Sequence, residues 1–356
     1  PTTEMDLELW KLADRVRPDP ESARALATVA PPELARLHRE GRLPAVLQRE
    51  LPVFLGKFGF RGVAEIDLGV PRWSDDPTHI LGSLANYLSL TDPARAPDAQ
   101  FRRGAEEAEA MVQELVRRAR AESRLKGWLV AFLLRRVRLL AGTREHPKFY
   151  VVRMLSRSRE LLREVGETLA QAGRIEQAED IFFLDLPETR AALAGQDMRE
   201  RVRERRATYA RELHRKHLPR WLLSDGTEPQ VAQAAAVGGD LTGTPASAGT
   251  VTGVARVVLD PTGARLEPGE ILVAPSTDPG WTPLFLTAGA LVMEMGGAMS
   301  HGSVVAREYG IPAVVGVPNA TERIVTGQRI TVDGSAGIVR IGTEPLAAER
   351  PSPPAA

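Results

Sequence analysis

Two groups of residues in this sequence are of a kind that does chemistry. The first is His301, set in Gly296-Gly297-Ala298-Met299-Ser300-His301-Gly302-Ser303 just before an apolar stretch of helical spacing. A histidine at the first turn of a helix faces unpaired backbone N–H groups and the positive end of the helix dipole. That field favours a bound anion by about 0.3–1 kcal/mol and disfavours the imidazolium. The ring is then neutral and one nitrogen is free to act as a nucleophile. The small neighbours Ala298, Ser300 and Gly302 leave room for a phosphoryl group. The same pattern also fits a surface or capping histidine.

The second group is Arg144-Glu145-His146-Pro147-Lys148. Arg144 and Lys148 are one helical turn apart and can meet an anion or polarise an oxygen together, with Glu145 or His146 as a base. A salt-bridge cluster at a helix entry gives the same spacing.

The elements around His301 follow from the pattern. Ala290-Leu291-Val292-Met293 is a short apolar run of buried parallel-strand type, Gly296-Gly297 ends it, and Ser303 to Glu308 is helical until Gly310. Strands are also predicted at 249–259, at 271–274, and at 329–332 paired through Asp333-Gly334 with 337–341. A helix is expected at Pro283-Leu284-Phe285-Leu286. The result is an α/β sandwich of about a hundred residues. Thr277 and Asp278 follow one strand end as Ser300 and His301 follow another, so the two loops are expected on one rim. Thr277 is the first candidate there to touch a phosphorylated imidazole, with Asp278 and Glu294 behind it.

Upstream the pattern is helical from Thr3 to about Arg220, with one helix through Met5 and Trp10 and another running from Pro31-Pro32 to Gly56. Residues 56–77 form a glycine- and proline-rich loop long enough to be functional. Residues 98–140 read as one long helix or two stacked ones. Their arginines, Arg117 to Arg138, are either a solvated face balancing Glu106, Glu107 and Glu109 or a positive wall toward an anionic partner. A further helix ends near Gly173, and a charged one runs from Leu193 to His217. The expected division is a helical domain at 1–223, a flexible linker at 224–237, an α/β domain at 238–344 and a disordered tail at 345–356.

Composition excludes several classes. Lysine plus arginine equals aspartate plus glutamate at 46 each, so no net field recruits nucleic acid or an anionic membrane. Cysteine is absent, which removes disulfides and thiolate metal sites, and no other metal site is expected. No apolar run approaches the roughly 18 residues of a membrane helix, and a cytoplasmic location is expected. A start at Pro1 suggests a piece of something longer.

Gly296 through Val317 resembles the phosphohistidine motif of the swivelling domain shared by phosphoenolpyruvate synthase, pyruvate phosphate dikinase and rifampicin phosphotransferase. His301-Gly302-Ser303 followed by Val-Val-Ala-Arg-Glu-Tyr-Gly is similar to the rifampicin phosphotransferase branch; dikinases acting on pyruvate more often carry alanine after the histidine. Residues 56–59, 65–67, 71–73, 144–148 and 179–184 are similar to the helical acceptor-binding domain of that branch. The resemblance implies that His301 is phosphorylated and that Arg144, Glu145 and Lys148 form the acceptor end, with His146 a weaker candidate; Ser300, Gly302 and Thr277, by type and place, are expected to position the phosphate. It implies an α plus α/β fold and a phosphotransferase. ATP and Mg²⁺ would be bound on an ATP-grasp domain, in trans or in a full-length parent, and AMP and phosphate would be co-products. The sequence has no glycine-rich phosphate cradle or acidic metal pair ahead of the helices, so the ATP-grasp part is not among these residues. The expected acceptor is a hydroxyl of a rifamycin-like or other small molecule. The alternatives are a synthase- or dikinase-like carrier with a small-metabolite acceptor, and a non-catalytic binding protein in which the second domain is a lid.

Overall fold

In the computed structural model of the chain the described residues are 2–90, 96–214, 223–227, 240–261, 264–277, 281–285 and 287–345, without the side chains of Arg144, Pro283 and 343–345. The N-terminal helices are α1 (Thr2–Val16), α2 (Pro20–Thr28), α3 (Pro31–Arg39), α4 (Ala45–Phe58), α5 (Thr78–Ser89), α6 (Pro97–Glu122) and α7 (Arg124–Ala141). A 3-10 turn at Gly142–Glu145 leads into α8 (His146–Gln171), a second at Ala178–Phe183 follows, and α9 (Leu186–Leu193) and α10 (Arg199–Leu213) complete the helical part. The C-terminal part holds β1 (Leu241–Thr242), β2 (Thr244–Ser247), β3 (Thr250–Val257), β4 (Ile271–Ala274), α11 (Thr282–Phe285), β5 (Ala290–Met293), α12 (His301–Tyr309), β6 (Ala313–Val315), α13 (Ala320–Arg323), β7 (Gln328–Asp333) and β8 (Ile338–Pro345). The fold class is thus a mostly helical N-terminal part followed by a small α/β part, as the sequence indicates.

The chain divides into two compact units, 1–64 with 72–149 and 236–356, and 65–71 with 150–235. In the first unit the strands form one mixed sheet in the order β1-β8-β7-β3-β4-β5-β6-β2. β3, β4, β5 and β6 are mutually parallel neighbours, with Leu272 opposite Leu291 and Leu291 opposite Ala313. Every residue of β4, β5 and β6 is buried, which explains their unbroken apolar runs. Alternate side chains serve two cores. Ile271, Val273, Ala290 and Val292 pack with Ile330, Val332 and Val339. Leu272, Ala274, Leu291 and Met293 belong to a larger core that includes Phe285, Val305 and Tyr309 and runs on through Met5, Leu9, Trp10, Leu47, Leu81 and Leu84. Helices α1 to α5 and one face of the sheet therefore share a continuous apolar interior.

The second unit has its own small core of Leu169, Ile175, Ile181, Ala192, Met198 and Val202. Gly166 allows α8 to approach the 3-10 turn there, since a methyl group at that position would stand 2.2 Å from the Ala178 carbonyl oxygen.

Several expectations need correction. The helix read from Pro31 to Gly56 is two helices, because Gly41 adopts φ 70° and Pro44 precedes α4. Helix α2 was not foreseen; Asp19 caps it by accepting from the Ser22 N–H at 3.1 Å. Of the two forms expected for residues 98–140, the stacked pair is the one found: the helices break at Ser123, and Gly127 lets them close, as a methyl group there would stand 2.1 Å from Arg120 Cγ. The charged helix read from Leu193 to His217 begins only at Arg199, as α10, after the break at Gly195 with φ 108°, and its expected end at 215–217 lies outside the described residues. β1 and β2 are additional to the strands read from sequence, and all eight strands join in one continuous order. Of the expected linker only 224–227, and of the expected tail only 345, lie among the described residues.

Candidate functional site

The site lies where β4 and β5 end. β5 gives way at Glu294 to the loop 294–300, α12 follows, and β6 returns parallel to β5. This is a βαβ unit in which the helix start follows the carboxyl end of a strand, where ligands of open α/β sheets gather. Gly296, at φ 126°, turns the chain; a side chain there would also strike Ser300, whose Oγ would be 2.9 Å from the added carbon. Arg307 fastens the loop from below, donating to the Ala298 carbonyl at 2.5 Å and to the Ala246 carbonyl at 2.9 Å. Gly310, in the left-handed region at φ 67°, stops the helix, and the Ile311 N–H closes the turn on the Ala306 carbonyl at 2.8 Å.

His301 is the first residue of α12 and is half-buried. No side chain caps this helix start. The Ser300 hydroxyl pairs with the Ser303 hydroxyl at 2.9 Å, and Ser303 donates to the Gly297 carbonyl at 2.8 Å, so both hydroxyls shape the loop. Gly302 is demanded by close packing: a methyl group on it would stand 2.5 Å from Thr277 Oγ1 and 2.7 Å from Met293 Sδ. The loops after β4 and β5 thus meet, as their common position after strand ends predicts.

Thr277 and His301 are neighbours through Gly302, and the Thr277 hydroxyl donates to Met293 Sδ at 3.3 Å. The imidazole has another hydroxyl beside it. Thr282 Oγ1 lies 3.3 Å from His301 Nε2. Thr282 is the first residue of α11 and is almost fully buried. Sequence reading passed over it; its only signal is a threonine ahead of Pro283 in the loop already paired with the histidine loop. Glu294 accepts from the Thr321 N–H at 2.7 Å and from the Thr321 hydroxyl at 2.6 Å, which anchors α13. Asp278 lies outside the described residues, as does the Arg144 side chain.

In the other candidate group, Glu145 ends the 3-10 turn and Lys148 lies in the first turn of α8, both half-buried, with His146 exposed between them. Thr2 donates to Glu145 at 3.4 Å, which ties this turn to the start of α1. α1 also meets α12. Thr3 donates to Glu308 at 3.3 Å, and the Tyr309 hydroxyl donates to Asp6 at 3.4 Å. Asp6 is fully buried, and burial holds its carboxyl well above the usual carboxylate range, against the opposing pull of the Tyr309 hydrogen bond and of Arg61. Burial likewise raises Tyr309, helped by Asp6. The same α1 thus touches the 144–148 turn at one point and the far end of the His301 helix at another.

The α6–α7 hairpin presents an apolar face to solvent. Leu125, Trp128, Phe132 and Val137 are exposed, Trp128 stacks on Phe132 with centroids 5.8 Å apart, and Arg136 lies 5.3 Å over the Phe132 ring. The arginines Arg117 and Arg118 are solvated and pair with Glu114, while Arg138 pairs with Glu109. No helix among the described residues is long and apolar enough to cross a membrane.

Residues 266–337 match the family model described as the PEP-utilising enzyme, mobile domain, and residues 1–145 match that of the rifampicin phosphotransferase fourth domain. By these two segments the chain carries parts similar to the fourth domain of rifampicin phosphotransferases and to the mobile domain of PEP-utilising enzymes. It is 37% identical over 346 residues to a rifampicin phosphotransferase of Streptomyces sviceus and 35% identical over 350 residues to one of Bacillus subtilis, each match covering 96% of this chain. A Serratia marcescens protein named prodigiosin synthesizing transferase PigC is 32% identical over 358 residues, again covering 96% of the chain. The chain spans about 40% of the length of these relatives.

Proposed function

We propose that this chain is the acceptor and carrier part of a phosphotransferase, in which His301 takes a phosphoryl group and passes it to a hydroxyl of a small molecule held by the helical domain. The observation that carries the reading is the position of a half-buried imidazole at the uncapped start of α12, on a rim closed by Thr277, Gly302 and Ser300. Backbone N–H groups and the helix dipole at that point stabilise a dianionic phosphoryl group. ATP and Mg²⁺ belong, on this reading, to an ATP-grasp domain outside these residues. The imidazole attacks the β-phosphorus as the bond to AMP or its equivalent breaks, and water takes the γ-phosphate. The N–P bond then breaks as the acceptor oxygen attacks, a base takes its proton, and the imidazole is restored.

Residues 1–223 form the acceptor-binding domain, 238–344 the swivelling domain and 224–237 the joint between them. Arg144, Glu145 and Lys148 orient the acceptor, and the exposed apolar face of α6 and α7 suits a large apolar molecule of the rifamycin kind. The shared core of α1 to α5 and the sheet then corresponds to the carrier docked on the acceptor side. The test is intact-mass and radiolabel analysis of the chain with ATP, Mg²⁺ and a separately expressed ATP-grasp domain of the same parent, with and without rifampicin. The expected label is acid-labile, alkali-stable, absent in His301→Ala and chased onto rifampicin. A label that forms and is not chased refutes the rifamycin acceptor, and no label refutes the carrier.

A further inference from the structure

Thr277, by its place after a strand end, is the residue expected beside the imidazole, yet its hydroxyl is turned to Met293 Sδ at 3.3 Å and the ring meets Thr282 instead. Thr282 has little freedom to do otherwise. It is 1% exposed, it opens α11, and its neighbours Trp281, Leu284 and Phe285 are all buried in the large core. A threonine has only its χ1 torsion, so packing that fixes the methyl group also fixes the hydroxyl. The oxygen 3.3 Å from His301 Nε2 is therefore part of a rigid wall, whereas the loop from Ser276 onward is exposed at its start.

We infer that Thr282 is a positioning residue for His301: its hydroxyl donates to Nε2, holds the imidazole rotamer, and keeps the ring proton on Nδ1. The inference rests on the carrier reading for its purpose and not for its geometry. A neutral imidazole has one N–H and one lone pair, and the hydrogen bond at one nitrogen decides which is which. Without a partner the ring in water favours Nε2–H. A donor at Nε2 reverses this preference and leaves the lone pair on the nitrogen that faces Thr282. When a phosphoryl donor arrives, the hydroxyl turns from Nε2 to a phosphoryl oxygen. The Nε2 lone pair forms the bond to the β-phosphorus, the P–O bond to AMP breaks with its electron pair on the departing AMP oxygen, and the Nδ1 proton stays on the ring or passes to solvent.

The test reads the tautomer directly. Long-range ¹H–¹⁵N spectra of the ¹⁵N-histidine-labelled chain are recorded for wild type, Thr282→Val, Thr282→Ser and Thr277→Val, with His301→Ala assigning the signal. The expected wild-type pattern is protonated Nδ1 with Nε2 unprotonated. Thr282→Val, which keeps the buried shape, is expected to move the tautomer ratio about fivefold toward Nε2–H, the change that loss of one hydrogen bond of about 1 kcal/mol produces. Thr282→Ser restores the wild-type ratio and Thr277→Val leaves it unchanged. An unchanged ratio in Thr282→Val, or a change in Thr277→Val of equal size, overturns the inference. Phosphorylation of the wild type is measured in parallel. If no phosphohistidine forms while the tautomer follows Thr282, the carrier reading falls and the positioning role stands; if phosphohistidine forms at the same rate in Thr282→Val as in wild type with the ratio unmoved, the positioning role falls alone.

Discussion

Gly302→Ala tests how tightly the wall beside His301 is closed. The added methyl group would lie 2.5 Å from Thr277 Oγ1 and 2.7 Å from both Sδ and Cε of Met293. Ordinary contact is about 3.5–4.0 Å, so roughly 1 Å of movement is required. Met293 ends in a flexible thioether and can rotate, whereas Thr277 Oγ1 is one bond from its Cβ and must change rotamer, losing its hydrogen bond to the sulfur. Overpacking of this degree costs about 1–3 kcal/mol. Alanine in place of glycine inside a helix returns about 0.5–1 kcal/mol. The net expectation is a loss of about 1 kcal/mol, read as a fall of about 2–4 °C in Tm. Thr277→Ala removes the obstructing hydroxyl, and in that background Gly302→Ala should be neutral or slightly stabilising. The double-mutant cycle, measured by urea unfolding with the buried Trp281 as fluorophore, is therefore expected to give a coupling of about 1–2 kcal/mol. A coupling below about 0.3 kcal/mol, within the additivity of independent sites, refutes the claim that Gly302 exists to admit Thr277.

Other perturbations have equally definite outcomes. Asp6 carries a raised pKa in the folded state, so the fold binds its proton more tightly than the unfolded chain does. Stability should then fall as pH rises from the ordinary carboxylate value near 3.8 through the raised value. Asp6→Asn, which keeps the hydrogen bond from Tyr309 without the charge, is expected to flatten that dependence and to be more stable than wild type at neutral pH in parallel melts. Gly310→Ala forces a side chain into the left-handed region at φ 67° and should cost about 1–2 kcal/mol, measurable by chemical unfolding. Leu291→Ala empties a fully buried position at the centre of the parallel strands and should cost about 2–5 kcal/mol, enough to shift a urea midpoint clearly.

The βαβ unit around His301 was legible because its signals are local. Four consecutive apolar residues, a glycine pair, a helical spacing and a terminal glycine define β5 and α12 within a residue or two of the observed ends. The arrangement of the helical half was less legible because its breaks depend on single residues in tolerant patterns. Gly41 ends α3 where the apolar spacing continues, and α2 has only Leu26 and Ser22 to bury, too little periodicity to stand out. β1 and β2 are short edge additions that pair with β8 and β6, and pairing partners so distant in sequence leave no local trace. Thr282 was missed for the same reason. Its relation to His301 is made by two loops folding onto one rim, so nothing within its own neighbourhood distinguishes it from a helix-opening threonine.

The seam between the N-terminal helices and the His301 helix bears on what a carrier needs. The α/β part meets those helices through a continuous apolar core, which favours docking in proportion to the area buried. Polar contacts also cross the seam. Asn86 donates to the Ala264 carbonyl at 3.1 Å and Arg265 to the Leu26 carbonyl at 3.4 Å, while Tyr309 reaches Asp6 at 3.4 Å. Two groups buried there work against closure. Asp6 Oδ1 and the Tyr87 hydroxyl have no hydrogen-bond partner, and each such group costs about 1–3 kcal/mol relative to its hydrated state. A cavity of about 300 Å³ between α2, α5 and residues 265–267 leaves the packing incomplete at the edge. Apolar burial therefore closes the seam while buried polar groups and the cavity subtract from it. A seam of that composition has a smaller net stability than its area implies, which on the proposed carrier reading would let the domain dock, deliver a phosphoryl group and leave.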